Sequence, residues 1–279
     1  MLSSRFPGDF LKDSRPKLAF FDSGVGGISI LDEVMGKVSP CDVVYVADSA
    51  KYPYGSLPES EIIFRVTRIA ADLHKIFPFD CFVVACNTAS TVVLPSLRSL
   101  FPHSIVGVVP AIKPAAELTK TGVMGLLATP GTVVRPYTDE LVATFASQKK
   151  VLRLGSTKLV DIAEKKMRTG MVDLSEMEVE LKPFLEQPEL DVVVLACTHF
   201  PLLEAEIRTV LGTKVTLISS GQAVAQRVLT LLGAKNLHTD ARLSTITYIS
   251  TSDSGSHENV RTYLSKWGTV NSKIDSFGL

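Results

Sequence analysis

The chain has 279 residues, 46% hydrophobic and 21% charged, which is enough apolar material for a real core and suggests one large domain or two modest ones. Lys+Arg 29 balances Asp+Glu 29, so the charge carries no footprint for nucleic acid or an anionic membrane. The four cysteines show no CxxC or finger spacing and no apolar run reaches membrane-span length, so the starting expectation is a reduced, cytoplasmic enzyme or binding protein rather than a disulfide scaffold or membrane protein.

Residues 1–17 read as a polar extension without an apolar h-region, and so not as a signal peptide. A strand is predicted at 18–21, a glycine turn at 22–27 and a helix through Ile28, Leu31, Val34 and Met35. A strand at 43–46 ends at Asp48, and Pro53 and Gly55 keep the Tyr52–Gly55 stretch non-helical. A helix at 60–77, a strand at 81–85, a helix at 92–100 and a strand at 105–109 follow.

The pattern then restarts. Strands are predicted at 123–128, 151–154, 192–196 and 215–218, with a Thr129–Thr132 turn and helices at 134–145, 159–168, 175–184 and 202–211. The four strands of each half correspond in order, so the expected fold is α/β: two similar lobes, each a mainly parallel sheet flanked by helices, related by pseudo-symmetry with the active site between them. A helix at 222–232, a strand at 245–249 and a helix near 259–267 are expected to return to the first lobe. The expected division is an extension at 1–17, a first lobe from 18–109 and 220–279, and a second from 110–219.

The chemistry collects at two copies of one phrase, Val83-Val84-Ala85-Cys86-Asn87-Thr88 and Val194-Leu195-Ala196-Cys197-Thr198-His199. Each reads as a buried parallel strand turning polar at its carboxyl end, where open α/β sheets bind ligands. A lone strand-end cysteine is usually a small core residue. Matched positions and polar followers instead point to an acid and a base of the same kind, while Cys41 and Cys81, at strand starts, read as structural. Asp22 ends the first strand, which in a doubly wound sheet can neighbour the Cys86 strand; it reads as a proton partner or as an Asx-turn residue opening a helix. His199, two residues beyond Cys197, can tune that thiol.

The Asp22–Gly27 turn lacks the third glycine of a dinucleotide fingerprint and the lysine of a P-loop. It reads as a backbone N–H nest able to hold a carboxylate. The Thr129–Thr132 turn is its counterpart, and Ser23, Asn87, Thr88, Thr132 and Thr198 add neutral donors for a small anion. Two readings compete: a metal held by Cys86, Cys197 and His199, and a Cys-His-Asp hydrolase, which leaves one matched cysteine unexplained.

The chain resembles the aspartate/glutamate racemase superfamily, and within it the glutamate racemases. The matching motifs are FDSGVGG at 21–27, YPYG at 52–55, VVACNTAS at 83–90, VGVVPAIKPA at 106–115, ATPGT at 128–132 and LACTHFPLL at 195–203. The extension and the VGVVPAIKPA phrase look most like the proteobacterial enzymes. The resemblance implies cofactor-independent, metal-free interconversion of L- and D-glutamate, feeding D-glutamate into peptidoglycan. It implies Cys86 and Cys197 as the two acid/base residues. It also implies substrate contacts from Asp22-Ser23, Tyr54-Gly55, Asn87-Thr88 and Thr198-His199, and Glu164 as the acidic partner of His199. Glu164 alone would read as a solvated helix residue. In some such enzymes UDP-N-acetylmuramoyl-L-alanine is an activator, and some are reported to bind DNA gyrase. Ala196 stands where the family commonly has glycine, and Tyr52 where it often has arginine.

Overall fold

The computed structural model describes residues 15–102, 105–233, 244–253 and 257–279. Most of the extension, residues 1–14, lies outside them. The first half runs β1 (Lys17–Asp22), α1 (Ile28–Met35), β2 (Asp42–Ala47), α2 (Glu59–Ile76), β3 (Cys81–Val84), α3 (Asn87–Leu100) and β4 (Ile105–Gly107). The second runs α4 (Ile112–Leu118), β5 (Val123–Ala128), α5 (Pro130–Val133), α6 (Pro136–Phe145), β6 (Lys150–Gly155), α7 (Lys158–Thr169), α8 (Leu174–Leu185), β7 (Val192–Leu195), α9 (Glu204–Leu211) and β8 (Thr216–Ile218). The tail adds α10 (Gly221–Leu232), β9 (Ser244–Ser250), α11 (His257–Leu264) and β10 (Gly268–Ile274).

One sheet has the order β10-β9-β2-β1-β3-β4 and the other β6-β5-β7-β8. Counted within its own half, each contains the strand order 2-1-3-4, and the pairings are parallel. The fold is therefore α/β with two lobes built to one plan. The tail extends the first sheet, β9 pairing with β2 and β10 with β9.

Alternation along each central strand feeds two cores, as a period of two requires. In β1, Leu18 and Phe20 pack with Ile28, Leu31 and Val228 of α1 and α10, whereas Ala19 and Phe21 pack with Ile62, Val66 and Val93 of α2 and α3. In the second lobe Val193 and Leu195 join α7 and α8, and Val192 and Val194 join α4 and the partly buried side of α6. Covering both faces explains why these strands read as continuous apolar runs.

The register sets the site. Phe21 of β1 lies opposite Val84 of β3 and Asp22 opposite Ala47 of β2, so Asp22, Asp48 and Cys86 emerge at one sheet edge. In the other sheet Leu127 lies opposite Leu195, and Thr129 and Cys197 emerge together. Each cysteine stands two residues beyond the end of its strand.

Several elements differ from expectation. Helix α3 starts at Asn87 rather than 92, because its first turn is polar and faces the cleft, so it carries no apolar period. Tyr54–Ser56 forms a 3₁₀ turn, with Pro53 as its cap rather than its obstacle. The Thr129–Thr132 turn caps and opens short α5, and α6 waits for Pro136 at its first turn. Helix α4 and strand β10 lie where no element is expected from the sequence pattern. The first is seven residues with Pro114 in its opening turn, where a missing N–H costs nothing; the second is a mostly exposed polar edge strand.

Asp48, just past β2, is fully buried and ion-paired to Arg65 of α2 through both oxygens, at 2.7 and 2.8 Å. It also accepts from Tyr54 at 2.5 Å and Thr251 at 2.7 Å. Burial opposes its charge, but these donors outweigh burial and hold its pKa below the ordinary carboxylate range. Asp48→Asn strands the buried Arg65 charge and is expected to cost about 3–5 kcal/mol in denaturant unfolding. Because the folded pKa is depressed, the Asp48 contribution is present above the ordinary carboxylate range. It is lost as pH falls through the folded value, so the gap between wild type and variant should close in acid.

Candidate active site

Cys86 leaves β3 with extended backbone and caps α3, accepting from the Ser90 N–H at 2.9 Å. Cys197 leaves β7 and is followed by His199, which opens a 3₁₀ turn at Phe200–Leu203 with Pro201 in its first turn. Both cysteines are nearly buried, at 5% and 7% exposure, and both line one cavity between the lobes. The first lobe contributes Asp22, Ser23, Tyr54, Gly55, Cys86, Asn87 and Thr88 to its wall. The second contributes Thr129, Thr132, Cys197, Thr198 and His199. The structure thus brings together every sequence-predicted site residue except Glu164, which stands one layer back. Tyr52 and Val160, neither of them an expected site residue, also line the cavity. Tyr52 was visible inside the YPYG phrase, whereas Val160 carries no chemical signal. The cavity measures about 20 Å³, room for about one water.

The two thiols have different surroundings. Burial, then the charge of Asp22, pushes the Cys86 thiol well above its ordinary range. Cys197 faces Nδ1 of His199 at 3.7 Å, and Nε2 of His199 lies 2.8 Å from Oε1 of Glu164. Burial disfavours a charged His199 ring, but its bonds to Cys197 and Glu164 outweigh burial and raise its pKa well above normal. Burial likewise pushes Glu164 up, and its bond to His199 more than offsets this, leaving its pKa lowered. Glu164 is therefore no solvated helix residue: its partner sits on the other side of the β7 turn. Cys41 and Cys81 lie fully buried elsewhere, their thiols pushed up to about 12 by burial.

The glycine turn is not an open anion nest. The Gly24 N–H donates to Oδ1 of Asp22 at 2.7 Å and the Val25 N–H to Oε1 of Glu164 at 3.0 Å, so the protein's own carboxylates fill it. Its glycines serve close approach: a Cβ at Gly24 would stand 2.3 Å from Oε1 of Glu164, and one at Gly26 2.3 Å from Nδ1 of His199. The lobes are laced across the cavity. Thr198 donates to Oδ2 of Asp22 at 3.0 Å, Ser29 to the Thr198 carbonyl at 2.7 Å and Asn87 Nδ2 to the Ala196 carbonyl at 2.6 Å. The Asn87 Oδ1 atom is buried without a partner. Asp22 is fully buried, and burial raises its pKa against the pull of His199, Gly24 and Thr198. Its influence on Cys86 is through charge. Among the described residues no group of three or more His, Cys, Asp or Glu is arranged to hold a metal ion.

Two thiols at matched strand ends line one cavity between duplicated α/β lobes, an arrangement suited to a racemase-type isomerase. The chain belongs to the Asp/Glu/Hydantoin racemase family, whose pattern it matches over residues 29–228. It is similar to a glutamate racemase of Vibrio vulnificus (strain YJ016), 48% identical over 78% of this chain and 82% of the relative. A Vibrio campbellii glutamate racemase is 50% identical over 78% of this chain and 81% of its own. Among solved structures, Escherichia coli glutamate racemase in complex with L-glutamate and activator UDP-MurNAc-ala superposes with a TM-score of 0.85 at 41% identity, covering 93% of this chain and 98% of that one.

Gly26→Ala drives a methyl group into the His199 ring. It is expected to lower racemase turnover about 10²-fold by misplacing that ring. Gly36→Ala, whose Cβ would meet nothing closer than 3.5 Å, is expected to leave turnover unchanged, and steady-state rates of the two variants check the contrast.

Proposed function

We infer that the chain interconverts L- and D-glutamate by a two-base mechanism without a cofactor, supplying D-glutamate for peptidoglycan. The observation that carries this reading is the pair of thiols at equivalent strand ends, one per lobe, lining one cavity. The working division places residues 18–109 and 220–279 in the first lobe and 110–219 in the second, so each lobe brings one base. Inversion needs a proton removed on one face of Cα and another delivered on the opposite face, and a thiolate with a thiol does this without moving the carbon.

A positioned acid/base group typically supplies about 10²–10⁴-fold, so the donors must stabilise the charge developing on the substrate carboxylate. Ser23, Thr88 and Thr132 would supply neutral donors at the cavity wall, and the unpartnered Asn87 Oδ1 would accept from the α-ammonium. A cavity of about 20 Å³ leaves little room for water that would quench a carbanion. Nothing lining the cavity selects an α-amino dicarboxylate of one length; the glutamate assignment rests on the relatives.

The resemblance makes Cys86 the base for D-glutamate and Cys197 the base for L-glutamate. Cys86→Ser and Cys197→Ser should both lose net racemisation. A glutamate analogue with a β- or N-leaving group needs only deprotonation to eliminate. Cys86→Ser should process mainly its L-form and Cys197→Ser mainly its D-form, with His199→Ala a partial Cys197 defect and Asp22→Asn a partial Cys86 defect. Identical enantiomer preference in the two serine variants would mean one base serves both faces.

UDP-N-acetylmuramoyl-L-alanine is proposed as an activator that acts by biasing lobe closure, which requires unequal affinity for the open and closed states. Saturating activator should raise both the rate and the melting temperature, and an unchanged rate and melting curve removes it.

A further inference from the structure

Glu164 stands between two cavities. The first holds the thiols and includes His199 in its wall; the second, about 330 Å³, includes Glu164 but not His199. Tyr52 borders both, its hydroxyl donating to Asp161 at 3.2 Å on the second-cavity side. Asp161 and Arg168, which line the second cavity, are exposed, so this space reaches bulk solvent. It has room for several waters. The Glu164 side chain is 21% exposed where His199 is 4% exposed. A continuous path therefore runs from Cys197 Sγ to His199 Nδ1, from His199 Nε2 to Glu164 Oε1, and from Glu164 to water. Glycine at position 24 leaves the space in which the Glu164–His199 bond forms. The Cys86 side is built otherwise: Asp22 is fully buried, and its oxygens accept from Gly24 and Thr198.

We propose that the second cavity is a proton port, in which Glu164 passes protons between solvent and the His199–Cys197 pair while the substrate cavity stays closed. The inference rests on the two-thiol reading and adds the route by which one thiol is loaded and unloaded. In the loaded pair one proton is shared along the Sγ···Nδ1 contact, as thiol with neutral ring or thiolate with charged ring. Passage of the Nε2 proton to Glu164 and on to water leaves a thiolate beside a neutral ring, and a proton returning by the same path restores the loaded pair. No electrons change hands, and Glu164 ends each passage as the carboxylate it began. The lowered Glu164 pKa and raised His199 pKa agree with a resting state in which the ring holds the proton and the carboxylate is free to relay it.

Chemical rescue of the full-length Glu164→Ala variant tests the port. Its turnover with L-glutamate should fall about 10-fold, less than for a group that touches substrate. Sodium formate should enter the second cavity and restore turnover several-fold, raising kcat without changing the KM for glutamate. Nitrate, similar in shape and charge but scarcely basic, should not. Absence of formate rescue, equal rescue by nitrate, or rescue that competes with glutamate overturns the proposal. Glu164→Gln keeps an acceptor for the Val25 N–H; it should melt like wild type, lose turnover to the same degree and ignore formate. Wild-type turnover in that variant overturns the proposal even if the alanine variant does not fold. Should the two serine variants show identical enantiomer preference while formate rescue holds, the two-base reading falls and the port stands for Cys197 alone.

Discussion

Buried negative charge is the constraint on which this molecule depends. A carboxylate taken out of water must find donors or be neutralised. Two fully buried carboxylates, Asp22 and Asp48, and the partly buried Glu164 of α7 gather at the cleft, and each is settled differently. Asp48 has a guanidinium and two hydroxyls, and so fixes the Tyr54 turn against α2 and the β9 end. Asp22 has a backbone N–H and a threonine hydroxyl from the opposite lobe, a weaker arrangement that leaves its pKa raised. Glu164 has a histidine of its own lobe and a backbone N–H of the other. Two of the three thus tie lobe to lobe through the same groups that surround the thiols, and stability and chemistry share their hydrogen bonds.

This sharing bears on motion. Any parting of the lobes would break the Thr198–Asp22, Asn87–Ala196 and Val25–Glu164 bonds, each worth about 0.5–1.5 kcal/mol net when water replaces the partner. Such bonds hold a closed state without locking it. The chain passes between lobes near Val109 and again near Ser220, where Ser220 donates to the Val109 carbonyl at 2.5 Å. Asp48 and its donors all belong to the first lobe, so none of its bonds crosses the cleft.

Duplication explains why the two thiols face one space, and departures from it explain why they differ. Both sheets carry the order 2-1-3-4 and both cysteines stand two residues past their strand. Beyond that point the halves diverge. After Cys86 the chain enters α3 at once, whereas after Cys197 a 3₁₀ turn holds His199 beside the thiol. The same symmetric frame therefore gives one thiol raised by burial and a neighbouring charge, and another paired with an imidazole.

The sequence by itself determined the α/β class, the internal repeat and the two cysteine phrases, because apolar runs of strand length and their polar ends are local properties. The lacing of the cavity was not local. Glu164 lies 35 positions from His199 and 139 from Val25, so only the packing of α7 against the β7 turn and the first-lobe glycines turns a surface-looking acid into a partly buried partner. The glycine turn looked like an anion site because its N–H groups are real, and tertiary structure decided that the protein's own carboxylates occupy them. The first turn of α3 and the strand β10 are not legible in the sequence because neither carries an apolar period. What remained for the fold to decide was which buried charge meets which donor, since that depends on distances across a cleft that no window of sequence spans.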